Sequence, residues 1–349
     1  MSKSKILRAS DDFKRVLRNV VIATTGKVYS IMDFPDTITE VKTFLEREGY
    51  ISSYEIATLV YLAYKGYRPL LLEGPPGSGK TFLVRAFANA LGMPLYRIQC
   101  FEGLHFEDLV GHWNFQQQLL AIQSGEEKRD VYTLDFYVKG AMLKAMSEKS
   151  EKHNEVVLLL DEVDKADEEF EHYLLQYFDE RELTIPIIGT ITEQRKVYIF
   201  MTSNKIRDLT EPLLRRVFYL YIDYPSREVE FNIIKANVKD APDLLVRQVV
   251  SLVNYMRKEM NLEKPPTPAE AIEFVRAMLQ IHEYDVSKDT LDRLLTILIK
   301  KKQDLDSVRS DIDEIVQTMR SEEEEIPEEI GAPPKQKTRK RSKSKKTPF

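Results

Sequence analysis

The sequence is short of the residues that would tie it to an oxidising compartment, a metal centre or a membrane. It has one cysteine, Cys100, in 349 residues, so no intramolecular disulfide can form, which fits a reducing cytoplasm. Its five histidines (His105, His112, His153, His172, His282) are scattered without metal-ligand spacing. No apolar run approaches the roughly 18 residues of a membrane span; the best, Pro69–Leu72 and Val156–Leu160, have the length of strands. The opening MSKSKILRASDDFKR lacks the apolar core of a secretory signal. No membrane association is expected, and the chain reads as cytoplasmic. The body is also short of positive charge. The net charge is −5, but residues 335–346 (KQKTRKRSKSKK) hold eight Lys or Arg and no acid, and without them the rest would carry −13. An acidic body binds nucleic acid poorly, because phosphate neutralisation drives that binding.

What is present is enough apolar residue, 43 %, for a full core, and a length suited to two or three domains. Residues 1–35 are mixed and read as an N-terminal extension. Asp36–Gly49 and Ser53–Tyr64 read as helices, and Thr81–Leu91 as a third. Arg68–Glu73, Pro94–Gln99, Glu155–Leu160, Val197–Thr202 and Phe218–Ile222 read as buried strands. Strands alternating with helices predict an α/β domain over 36–225 with a parallel five-stranded sheet flanked by helices. From 226 to 320 only helical patterns occur, which predicts an all-α domain. Leu305, Val308, Ile312, Ile315 and Met319 form a helical stripe that reads as packing within that domain, with a short coiled coil as the alternative. The acidic-then-basic tail, 321–349, is expected to be disordered.

Four segments carry chemistry. Gly74-Pro75-Pro76-Gly77-Ser78-Gly79-Lys80-Thr81 is a P-loop (Walker A) between an apolar strand and a helix. Its glycines let backbone N–H groups approach phosphates, and the helix N-terminus adds positive potential. Lys80 would reach the β- and γ-phosphates of ATP, and Thr81 would hold Mg²⁺. Next, Val156–Leu160 delivers Asp161 and Glu162 at a strand end, the Walker B arrangement. Asp161 would bind Mg²⁺, and Glu162 would act as general base. Third, Val197–Thr202 ends in Ser203-Asn204, where Asn204 can fix the in-line geometry of the attacking water. Fourth, Arg215 and Arg216 precede the last strand and could act as an arginine finger on a neighbouring subunit, with Arg216 favoured. Tyr50 and Ile51 precede the helix expected to flank adenine and could contact the base, though core packing suits them better. Gln99 could relay contacts to Glu162 or pack, and Trp113 could serve a pore or its own hairpin. The acidic residues Asp164, Asp167, Glu168 and Glu171 could meet a basic partner, but such a run is more often a solvated face.

In this order the four segments resemble the AAA+ superfamily. RIQCFEGL (97–104), HWNFQQQLL (112–120), DEVDKADEEFEHYLLQ (161–176), LTIPIIGTI (183–191) and LLRRVFYLYIDYP (213–225) are similar to its MoxR-type branch, in the subgroup associated with carbon monoxide dehydrogenase accessory genes. The resemblance runs from about Gly49 to about Arg276. It implies a hexamer with ATP sites between subunits. It also implies pore-facing β-hairpin inserts at about 102–140 and 183–196. A von Willebrand factor A domain partner is implied, as is a chaperone-like task on a protein client, a molybdenum enzyme or other metalloenzyme. One departure concerns the second domain: where many relatives carry a Ser-Pro-Arg step, this chain has Thr267-Pro268-Ala269, with Arg276 a weak substitute. Another is Lys165, which stands where an arginine is usual. Two other functions remain open at this stage, a nucleic-acid motor or loader served by the basic tail, and a nucleotide-gated scaffold with little turnover.

Overall fold

Five apolar segments of the sequence become one all-parallel sheet in the computed structural model. The structure describes residues 34–123, 130–148 and 154–323, and only the backbone of the paired strands Val21–Ile22 and Val28–Tyr29 before them. The sheet strands are β1 (Leu70–Glu73), β2 (Leu95–Gln99), β3 (Glu155–Asp161), β4 (Lys196–Ser203) and β5 (Phe218–Tyr221). Their spatial order is β5-β1-β4-β3-β2. Pro69 and Pro94 stay just outside their strands, because proline has no N–H for the ladder. Each still contributes its carbonyl, Pro69 to Phe218 N–H (2.8 Å) and Pro94 to Val157 N–H (2.9 Å).

Side-chain alternation explains why the central strands are apolar without interruption. Val156, Leu158 and Leu160 enter one core, with Val197, Ile199 and Met201, while Val157 and Leu159 enter the opposite core with Tyr198 and Phe200. A strand covered on both faces has no position that water can reach. The edge strand β5 differs: Leu220 is buried, but Tyr219 and Tyr221 are exposed.

One face is covered by helices α1 (Ile38–Arg47), α2 (Tyr54–Gly66) and α3 (Lys80–Ala90) through Val41, Phe44, Val60, Leu83 and Phe87. The start of α1 is set by a capping box, with Glu40 N–H donating to Thr37 Oγ1 (3.3 Å) and Thr37 N–H to Glu40 Oε2 (3.2 Å). The other face is covered by α4 (Ala141–Ser147) and α5 (Glu168–Glu180) through Met142, Leu143, Met146, Phe170 and Leu174. The α/β class and parallel five-stranded sheet expected from the sequence are therefore present. Phe34 already belongs to this body, with its ring stacked on Tyr64 at 3.7 Å; most of the extension before it lies outside the described residues.

Two ribbons decorate the sheet. Glu182–Ile185 pairs antiparallel with Gly189–Thr192. Gly111–Trp113 pairs with Tyr137–Lys139, but the helix Phe115–Gln123 lies between those two strands in the chain, so this insert is not a plain hairpin. Trp113 packs edge-to-face on Tyr137 (5.2 Å) and Tyr132 (5.8 Å).

The chain divides into two units, Met1–Pro225 with Thr267–Ala269, and Ser226–Pro266 with Glu270–Phe349. The described part of the second unit is helical: Arg227–Asn237, Asp243–Lys258, the helix Pro268–Gln280 from Glu270 on, Lys288–Leu298, Lys302–Ser310 and Ile312–Glu323. The Leu305–Met319 stripe spans a break at Asp311 and packs into this unit's own core, which supports the packing reading over a coiled coil. A buried ion pair, Arg257 to both oxygens of Glu230 at 2.9 and 2.8 Å, joins two of its helices. Ser321–Glu323 continue the last helix; the rest of the tail lies outside the described residues.

The ribbon Glu182–Thr192 is tied to the sheet through Glu193. Its carboxylate accepts from Val197 N–H (2.7 Å) and from the Tyr67 hydroxyl, and its N–H donates to Arg181 O (2.9 Å). Burial pushes its pKa up to about 7 from an ordinary 4.5. A carboxyl raised in the folded state contributes stability that is full below its unfolded value and lost as pH rises through the folded one. We therefore predict that Glu193→Gln, which keeps an acceptor oxygen and removes the charge, raises the melting temperature at pH 8. At pH 4.5 the same variant should melt with the wild type, as thermal melts followed by circular dichroism would show.

Candidate active site

Strand order places a crevice between β1 and β4, because the chain leaves β1 toward β2 on one side and leaves β4 toward β5 on the other. Parallel sheets bind ligands at such a switch point, beyond the carboxyl ends of the strands. The loop Gly74–Gly79 occupies it. Gly74 N–H donates to Ser203 O (3.2 Å), and Ile222 N–H donates to Glu73 O (2.7 Å), so the loop starts wedged between the ends of β4 and β5. A Cβ on Gly74 would stand 2.0 Å from the Ile222 carbonyl oxygen. Gly79, with φ of +97°, makes the left-handed step that opens α3.

The loop closes over its own lysine. Lys80 is buried, and its Nζ donates to Gly74 O (2.7 Å) and Pro75 O (2.8 Å). Burial lowers its pKa, while Asp164, Asp161, Glu162 and Glu73 pull it back up. Ser78 Oγ, inside the loop, is buried without a hydrogen-bond partner. A buried hydroxyl left unpaired costs roughly 1–3 kcal/mol, which a polar ligand in the loop would relieve.

Asp161, a residue only 3 % exposed, ends β3 with its carboxylate held by donors from three directions. Thr81 Oγ1 donates to Oδ1 at 3.1 Å, Thr202 Oγ1 donates to Oδ1 at 2.5 Å, and Arg97 contacts Oδ2 at 2.5 Å. Thr81 and Asp161 are hard oxygen ligands of the kind Mg²⁺ prefers. No group of three or more His, Cys, Asp or Glu able to hold a metal occurs among the described residues. Mg²⁺ suits such a sparse set, since it keeps several waters and takes phosphate oxygens. The residues present therefore fit a magnesium–phosphate group.

Glu162 follows in the left-handed region (φ +58°, ψ +51°), an uncommon conformation for a non-glycine residue. Its N–H donates to Thr202 Oγ1 at 2.8 Å. Three donors fix its carboxylate: Gln99 Nε2 to Oε2 (2.8 Å), Lys165 Nζ to Oε2 (2.7 Å) and Asn204 Nδ2 to Oε1 (3.1 Å). The structure thus brings Lys80, Thr81, Asp161, Glu162 and Asn204 together around one loop.

Arg215 and Arg216 lie apart from that set, after the turn Glu211–Leu214. Arg216 is clamped within the chain, its Nε and Nη2 on Asp179 (2.6–2.8 Å) and its Nη1 on Pro212 O (3.0 Å). Arg215 is 79 % exposed, with only a loose 3.8 Å pairing to Glu211. Tyr50 is buried between α1 and α3, its ring 5.8 Å from that of Phe82, and Ile51 is half-buried beside it.

Several site residues escaped the sequence reading. Arg97 and Thr202 bind Asp161, and Lys165 binds Glu162. Arg97 and Gln99 alternate on β2, and parallel register sets them beside Leu159 and Asp161. A polar pair two residues apart at the end of an otherwise apolar strand is the available signal. The acidic face expected to be solvated is partly buried instead. Asp164 Oδ2 accepts from Asn204 N–H (3.0 Å) and Ile206 N–H (2.9 Å), and Glu171 accepts from Thr210 N–H (2.9 Å) and pairs with Arg207 (2.6 Å). Both carboxylates are at most 2 % exposed.

The α/β fold seen here is a five-stranded parallel sheet flanked by helices. Residues 69–217 match the family described as AAA domain (dynein-related subfamily). Among curated proteins, an uncharacterized protein of Staphylococcus saprophyticus is 22 % identical over 220 residues, 61 % of this chain and 76 % of the relative. Another from Staphylococcus epidermidis is 24 % identical over the same shares. Among solved structures, a proline-to-glycine mutant of RuvB from Thermotoga maritima is 18 % identical with a TM-score of 0.43, covering 75 % of this chain and 70 % of that one. No described helix is long and apolar enough to cross a membrane.

Two predictions follow from the packing of the site. Gly74→Ala must displace the Ile222 carbonyl, so it should destabilise the protein by about 1–3 kcal/mol in urea titration. Cys100 is buried beside Asp161, whose backbone carbonyl accepts its N–H at 2.8 Å, and burial pushes its thiol up to about 12. It should stay unmodified by a thiol reagent at pH 8 in native protein and react at once in denaturant.

Proposed function

We propose that this protein is a Mg²⁺-dependent ATPase whose turnover drives the remodelling of a protein client. The observation that carries this reading is the assembly around Asp161: a glycine loop with an orphaned hydroxyl, a hydroxyl–carboxylate pair suited to magnesium, and a second carboxylate on the adjacent residue. Thr81 and Asp161 would hold Mg²⁺, which would supply positive charge against that of the phosphates. The loop N–H groups and Lys80 would hold the phosphates, with Lys80 exchanging its carbonyl partners for phosphate oxygens. Glu162 would take the proton of the attacking water, and Asn204 would orient that water. Arg97 and Thr202 would keep Asp161 aimed.

The exposed Arg215 is the better finger, because Arg216 would first have to leave Asp179. Arg215 makes no contact with Lys80, Thr81, Asp161, Glu162 or Asn204, and as a finger it would act on the nucleotide of a neighbouring copy in a ring with sites between subunits. A hexamer, a von Willebrand factor A domain partner and a molybdenum or other metalloenzyme client rest on the MoxR-type resemblance of the sequence. The acidic body argues against a nucleic-acid motor. One observation favours the scaffold reading: both oxygens of Glu162 are already engaged by Gln99, Lys165 and Asn204.

Steady-state ATPase assays separate the two. Glu162→Gln should lower kcat by about 100-fold or more while leaving MgATP affinity nearly unchanged. Equal rates in wild type and variant would favour the scaffold. Arg215→Ala should lower kcat far more than Arg216→Ala, and mixing Arg215→Ala subunits with Glu162→Gln subunits should restore part of the rate. No recovery on mixing would place the finger elsewhere.

A further inference from the structure

Beyond the nucleotide site, the first unit carries a groove of about 480 Å³ lined by residues after β2, after β3 and after β4. Phe101 and Ile206 contribute apolar surface, 50 % and 65 % exposed. Glu102, Asp167 and Glu168 are exposed in its wall. Asp164 lies buried beneath them, with Oδ1 unpartnered. The two cations in the lining are spoken for: Lys165 pairs with Glu162 at 2.7 Å, and Arg207 pairs with Glu171 at 2.6 Å. The groove therefore presents carboxylates around an aromatic and aliphatic floor, with no free positive charge of its own.

A ligand for such a surface is a run of Lys and Arg, whose charged heads meet the carboxylates while their methylene stems cover Phe101 and Ile206. A guanidinium can also stack on the phenyl ring. This chain contains that run. Residues 335–346 hold eight Lys or Arg and no acid, on a body that would otherwise carry −13. The segment from the end of the last described helix at Glu323 to Lys335 can span roughly 40 Å when extended, more than the width of a small domain.

We propose that the groove at Phe101, Glu102, Asp167, Glu168 and Ile206 is the docking site of the chain's own basic segment, residues 335–346. Its wall begins two residues after Glu162, so an occupied groove lies beside the catalytic carboxylate. The docking itself needs no nucleotide, and its test stands whether or not the protein hydrolyses ATP.

The test uses the full-length chain with all eight basic residues of 335–346 replaced by glutamine, and a fluorescent peptide of sequence KQKTRKRSKSKK. Fluorescence anisotropy should show saturable binding that weakens about tenfold between about 0.05 and about 0.3 M salt. Adding Glu102→Lys with Glu168→Lys should weaken binding by about tenfold or more. Reversing the exposed Asp240 and Glu273 of the helical unit to lysine should leave it unchanged. Thermal melts confirm that each variant is folded. The unmodified chain should bind the peptide more weakly than the glutamine-tail chain, because its own tail competes. Absent binding, equal binding by groove-reversed and parent chains, or equal loss in the control pair would overturn the proposal. So would a tail that binds single-stranded RNA while the peptide ignores the groove.

Discussion

A buried charge at the end of β3 is the constraint on which the site depends. The Asp161 carboxylate is almost fully removed from water, and an unpaired charge there would be costly. Its compensation comes from Thr81 on α3, Thr202 on β4 and Arg97 on β2. Those three residues converge only if the helix after the P-loop and all three strands end at matching levels. Glu162 inherits its place from the same network, because its N–H donates to the Thr202 hydroxyl that binds Asp161. Parallel register is thus converted directly into the positions of two neighbouring carboxylates.

A second pair of buried carboxylates extends this order outward. Asp164 receives the backbone of Asn204 and Ile206, and Glu171 receives Arg207 and Thr210. The segment leaving β4 is therefore pinned at both ends before the turn that bears Arg215. Asn204 and the exposed Arg215 are joined by a clamped stretch of backbone.

The sequence made the local parts of this arrangement legible. A glycine-rich loop between an apolar strand and a helix, or two acids after five apolar residues, needs no knowledge of distant neighbours. The sheet was readable for the same reason, since strands covered on both faces are apolar at every position. Arg97, Thr202 and Lys165 were not readable as site residues, because strand register and one left-handed step at Glu162 decide what they touch. Asp164 and Glu171 were misread as solvated because their acidic neighbours are. Burial depended on which backbone N–H groups arrived from β4, and no local pattern records that. The insert was placed roughly, but the helix within it has no signal beyond a short apolar stretch.

Cys100 has a practical consequence. The only thiol of the sequence is buried next to Asp161, so the protein should behave toward labelling reagents as though it contained no cysteine. Any single cysteine added at an exposed position, such as Ile187 at the tip of the Glu182–Thr192 ribbon, would then be the sole site for a spin or fluorescent label. Motion of that ribbon could be followed without first engineering the site from which Asp161 takes its shape.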